Sequence, residues 1–172
     1  MRAMSQFISS LNEHIGKAVS GLNVLLIVIV CVDVVARYAF KHSSAAFYEL
    51  EWHIFSMIFL MGAGWTLRHD QHVRVDILYA KANPHLQALL DIIGVVLLLI
   101  PFSLTLIVTA LPYALVAFQT SEGSPDTGGL PCRWIIKSAI VIGAGLILLQ
   151  GLAMLFEKTL FLIGRKERSD VA

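Results

Sequence analysis

From Ile54 to Leu67 the chain carries no charge, and the two sides of this run are chemically unlike. Glu49, Glu51, Trp52 and His53 precede it, while Arg68, His69, Asp70, Gln71, His72, Arg74 and Asp76 crowd the far side. An apolar run with one acidic and one basic, histidine-rich end is the profile of a membrane-crossing helix. Three more apolar runs must be arranged around it. The composition agrees: 57% of the 172 residues are apolar and 15% charged, against about 45–50% and about 25% in soluble domains. The two cysteines, Cys31 and Cys132, exclude a disulfide framework and offer no zinc spacing.

Taken in order, residues 1–20 are weakly amphipathic, with Phe7, Ile8, Leu11, Ile15 and Val19 at helical spacing. They are expected to lie in the membrane interface as the approach to a first span. Glu13 interrupts what would be a signal-peptide n-region, and no small-x-small site follows, so the first span is read as retained. The expected architecture is all-α, a single membrane domain over 1–172 with four spans at about 16–38, 46–67, 85–118 and 134–163. Asp33 and Arg37 share a face near the end of span 1, as an interfacial pair or as a contact to a partner subunit. Ser43 or Ser44 is the expected N-cap of span 2, with Glu49 in its first turn at the positive end of the helix dipole. Trp52 and Trp65 read as an aromatic belt. Two glycine pairs, Gly62/Gly64 and Gly143/Gly145, permit close helix approach. Span 3 would cover roughly 50 Å against about 30 Å of hydrocarbon, with Pro101 and Pro112 as kink sites. Residues 119–131, QTSEGSPDTGGLP, form a loop.

Four spans put both termini on one side. With the N-terminus inside, Arg2, Lys17, Arg68, Arg74, Lys81, Lys158, Arg165, Lys166 and Arg168 are cytoplasmic, and Arg37, Lys41, Arg133 and Lys137 external. That bias favours cytoplasmic termini. Glu49, Glu51, Glu122 and Asp126 then lie outside, where they dock a partner or keep the rim wet. There is no internal repeat of the kind self-sufficient transporters use. The centres of the four spans lack Asp, Glu, Lys and Arg, whereas ion pathways place such groups near the midplane. This favours an accessory subunit over an enzyme or an independent carrier. Of six histidines, only His53 lies within a span, which disfavours a bis-histidine haem. His69, His72 and Asp76 have a spacing that a metal site can use, but a solvated, locally paired helix end is the simpler reading. No cofactor or metal is expected.

The segments YELEWHIF, GWTLRHDQHVRVDILY and SEGSPDTGGLPCRWIIKSAIVIGAGLILLQ, in that order, resemble the small membrane subunit (DctQ type) of tripartite ATP-independent periplasmic (TRAP) transporters over about residues 33–150. The family pattern falls on Glu49, Glu51 and Trp52, on Arg68, His72, Val73 and Asp76, and on Glu122, Ser124, Pro125, Pro131, Arg133, Trp134 and Lys137. The resemblance implies a small subunit in the bacterial inner membrane, paired with a large, elevator-type membrane subunit and a periplasmic substrate-binding protein. Transport would be driven by sodium, with substrate and sodium sites on the large subunit. The full YELEWH and EGSPDxGGLPxRW forms resemble the branch for 2-oxo acids, mannitol and chloroaromatic acids, which implies an organic acid. The alternative is a membrane anchor of a redox enzyme, with His53 at a haem or quinone site.

Overall fold

In a computed structural model of the chain, residues 2–69 and 82–169 are described, with side chains described from 5 to 164 within those limits. Among the described residues the chain is all-helical, with four long helices and no strand. Helix α1 runs Arg2–Ala39 and α2 runs Ala45–Arg68. Helix α3 runs Pro84–Gln119, and α4 runs Trp134–Ser169. Within α3 a π-helical turn, Val95–Leu99, joins two α-helical stretches. Three segments are long and apolar enough to cross a membrane: Ser5–Ala39, Pro84–Gln119 and Trp134–Gly164. Helix α2 has the length, but Glu49, Glu51 and His53 dilute its first half.

Helix α4 packs against the other three, whereas α3 packs principally on α4. Helices α2 and α3 therefore flank α4 with a gap between them. The α2–α4 contact is a glycine approach: a Cβ on Gly143 would stand 2.6 Å from the Leu60 carbonyl oxygen. Of the two glycine pairs, only one member of each works this way. Gly64 faces Asn12 and the Leu146 carbonyl, while Gly62 and Gly145 meet nothing within 4 Å.

Four expectations change. The N-terminal segment is not a separate element leading up to the first span; it is the first half of α1. Its apolar stripe is also split between inside and outside. Phe7 is 69% exposed, while Ser5, Ile8 and Asn12 are buried at helical spacing. Turning an apolar face inward gains little in lipid, but polar groups there must find partners within the protein. Secondly, Glu49 falls just past the first turn of α2, so the helix dipole does not account for it. Thirdly, Ser44 is the N-cap of α2 but makes no side-chain bond. The working cap is Asn83, whose Oδ1 accepts from the Leu86 N–H at 2.8 Å with Pro84 opening the helix. Finally, the irregularity in α3 is the π turn, which ends just before Pro101, while Pro112 sits inside an α-helical run. A proline removes one N–H and crowds the carbonyl four residues back, here that of Leu97, inside the π turn.

Candidate functional site

Polar side chains gather at two ends of the bundle. At one end the 120–133 loop is built by its own backbone. The Glu122 N–H donates to the Ala117 carbonyl at 2.9 Å, and the Ser124 N–H to Leu130 O at 3.0 Å. The Gly129 N–H bonds Asp126 O at 3.0 Å, and the Arg133 N–H returns to Glu122 O at 2.9 Å. Ser121 and Gly128 adopt positive φ, 49° and 79°, to make these turns. The loop then closes on α2 through one carboxylate. Glu49, 1% exposed, accepts from the Leu130 N–H at 2.6 Å and from the Arg133 guanidinium at 2.9 Å. It also accepts from the Ser124 hydroxyl. A Cβ at Gly129 would stand 2.8 Å from Glu49 Oε2, so only glycine lets the loop approach so closely.

Around this clasp, Lys137 lies 2.5 Å from Glu122 Oε2 and 3.7 Å above the Tyr113 ring, a charge pair combined with a cation–π contact. Trp134 packs edge-on against Phe118 with centroids 5.2 Å apart. Asp33 is buried and pairs with Arg37, so their spacing is used within α1. Trp52 stacks on His53 at 3.9 Å. The His53 Nδ1 lies 2.6 Å from the Glu49 carbonyl oxygen, which occupies that nitrogen on its own helix. Glu51 is half-buried, and its Oε1 has no partner among the described residues. Asp126 is exposed. The acids expected outside thus divide: Glu49 is an internal fastener, Glu122 is paired, and Asp126 is exposed.

At the opposite end, Glu13 joins α1 to α2. Its Oε2 accepts from the Trp65 indole at 3.1 Å and from the Arg68 guanidinium at 3.0 Å, and His69 Nε2 lies 2.9 Å away. Lys17 reaches its other oxygen at 3.0 Å. Arg68 also donates to the Ser9 carbonyl. Asn12, fully buried, donates to Gln150 Oε1 at 3.0 Å, and Gln150 donates to the Ser9 hydroxyl at 3.4 Å. The Ser5 hydroxyl donates to Glu157 at 2.5 Å, and Lys158 pairs with Asp91 at 2.7 Å. All four helices are tied together here. Trp65, read from sequence as a belt residue, is part of this hub. His72 and Asp76 lie outside the described residues.

Sequence reasoning missed Asn12, Glu13 and Gln150. The signal was present: polar residues within or beside apolar runs are costly in a membrane and mark a contact. We expect Asn12→Ala to lower stability by about 1 kcal/mol, the typical worth of one interhelical hydrogen bond in a membrane. Thermal melting in detergent reads this, and an unchanged midpoint would show that the Asn12–Gln150 bond contributes nothing net.

The profile of tripartite ATP-independent periplasmic transporters, DctQ component, matches residues 26–160. The chain belongs to the DctQ family. No curated protein matches the chain. DctQ chains are components of tripartite transporters that also contain a large membrane subunit and a periplasmic binding protein, and they are not enzymes. The DctQ match covers the whole Glu49 clasp. It also covers the α2 and α4 half of the hub, Trp65, Arg68 and Gln150, while Asn12 and Glu13 precede it.

Proposed function

We propose that this DctQ chain is the static brace of a sodium-driven organic-acid transporter in the bacterial inner membrane. It crosses the membrane four times as one domain with both termini cytoplasmic, α2 crossing alongside the three more apolar helices. It enlarges the scaffold against which the large subunit's transport domain moves, and its external loop helps dock the binding protein. One observation carries this reading. Among the described residues, the ionised side chains are largely spent on fastening the helices at the two ends, while broad apolar faces on α1 and α3 are turned outward. Such a body resists deformation and offers a surface to a larger neighbour. The nine-to-four distribution of Lys and Arg supports the orientation. The motifs YELEWH and EGSPDTGGLPCRW resemble the branch for 2-oxo acids, mannitol and chloroaromatic acids, and the substrate proposed is a carboxylate or sulfonate organic acid. Asp33, Arg37, Glu49, Glu51, Trp52, Arg68, His72, Asp76, Glu122, Asp126, Arg133, Trp134 and Lys137 are assigned structural or partner contacts, and the transported ion and solute sites are assigned to the large subunit.

Reconstitution tests this. Sodium-dependent uptake into liposomes should require the large subunit and binding protein together with this chain. Uptake by this chain alone would refute the bracing role. Within the complex, Asp126→Lys is expected to raise the binding-protein concentration for half-maximal uptake by roughly fivefold, as rim charges set encounter rate more than bound affinity. Asp126 is the cleaner probe than Glu122, whose reversal also breaks the Lys137 pair. Unchanged uptake kinetics with Asp126→Lys would remove the loop from docking.

A further inference from the structure

Two cavities of opposite character meet at the Glu13 end of the bundle. One, of about 530 Å³, is polar and is lined by Ser9, Glu13, Arg68, Gln150, Glu157 and Lys158 among others. The other, of about 1030 Å³, is the gap between α2 and α3 over α4, lined by apolar groups such as Leu60, Leu90, Val95, Phe102 and Ala144. Leu67 and Met154 line both. The Asp91–Lys158 pair stands on the boundary, Asp91 on the groove and Lys158 on the polar cavity, 2.7 Å apart. A molecule filling both must be polar at one end and apolar along the rest.

We infer that this composite cavity binds one phospholipid with a zwitterionic, amine-bearing headgroup, its phosphate against Arg68 and Lys158 and an acyl chain in the groove. The size fits a tail: α3 lines the groove from Leu86 to Leu106, roughly 30 Å along the helix, more than one leaflet of a hydrocarbon core about 30 Å thick. Charge selects the head. Arg68 and Lys158 are partly exposed, at 32% and 29% of their side chains, and both carry more N–H donors than their acidic partners take. Glu13 and Glu157 line the same cavity. A phosphate answers the two cations and an ammonium answers Glu157, whose carboxylate accepts only from the Ser5 hydroxyl among the described residues, whereas an anionic headgroup without an amine answers only the cations. The inference needs only that this end of the bundle sit at a membrane surface, so it stands or falls separately from the bracing role.

The test uses the full-length chain in nanodiscs of equal phosphatidylethanolamine and phosphatidylglycerol, followed by native mass spectrometry of the detergent-extracted protein. One ethanolamine lipid per chain should be retained, enriched roughly fivefold over the glycerol lipid, the upper range for one partly exposed ammonium–carboxylate pair. Glu157→Gln should erase the preference, whereas Asp91→Asn combined with Lys158→Gln should weaken retention of both lipids. Gly94→Phe fills the groove from a position whose Cβ meets nothing within 4 Å. It should cut retention of both lipids about tenfold while melting remains cooperative. Equal retention of the two lipids, enrichment of the glycerol lipid, or full retention in a folded Gly94→Phe protein would overturn the proposal. Loss of the lipid on assembly with the large subunit would assign the groove to that subunit instead, and would overturn it too.

Discussion

Glu49→Gln should release the 120–133 loop. The carboxylate accepts from three donors, the Ser124 hydroxyl, the Leu130 N–H and the Arg133 guanidinium. An amide keeps one acceptor oxygen and turns an NH₂ donor toward donors. No rotamer of glutamine satisfies both sides, and the site is buried, so water replaces the lost bonds only if the loop opens. We expect tryptic cleavage after Arg133 to accelerate roughly tenfold or more, because proteolysis follows the population of locally opened chain. Helix content by circular dichroism should be unchanged. The control is Glu51→Gln, two residues away, whose Oε1 is buried without a partner among the described residues. It should leave cleavage unaltered. Equal cleavage rates for wild type and Glu49→Gln would show that the loop is held by its own backbone bonds alone.

Gly143→Leu should drive α2 away from α4. Even the first carbon of the new side chain would lie 2.6 Å from the Leu60 carbonyl oxygen and 3.0 Å from its carbon. These are backbone atoms of a helix, so no rotamer change relieves the overlap. Overpacking of this kind costs about 1–3 kcal/mol, with the upper part of the range expected where backbone must move. Gly145→Leu enters space where nothing lies within 4 Å and should change stability by less than about 0.5 kcal/mol, as surface substitutions do. Melting midpoints of the two variants in one detergent decide the matter. Equal midpoints would mean that the α2–α4 approach is not close in the membrane.

The helices were largely legible because each is a long uncharged run with polar or proline-bearing boundaries. Expected spans at about 46–67, 85–118 and 134–163 became Ala45–Arg68, Pro84–Gln119 and Trp134–Ser169. The first helix was under-read, because its opening residues were judged by their apolar stripe. Phe7 and Leu11 are turned outward, and Ser5, Ile8 and Asn12 inward. For the site, the motif residues Glu49, Ser124, Arg133, Glu122 and Lys137 were all singled out, but as separate external groups. Their joining into one clasp and one neighbouring pair is a matter of partners 75 to 84 residues apart for Glu49 and 15 for Glu122 with Lys137. Periodicity does not encode such separations.

The sequence alone determined that the chain is helical and membrane-embedded, and where its helices begin and end apart from the start of α1. Transfer of apolar side chains from water is a property of each residue, and a helix satisfies its own backbone, so both can be read locally. Only the tertiary structure decided which polar residues fasten the bundle and which glycine of each pair lies at a contact. Gly143 and Gly145, like Glu49 and Glu51, are alike in the sequence and two residues apart. A step of two along a helix turns a side chain by roughly 200°, toward a neighbouring helix in one case and away from it in the other. Which neighbour stands there is set by the packing of the whole chain.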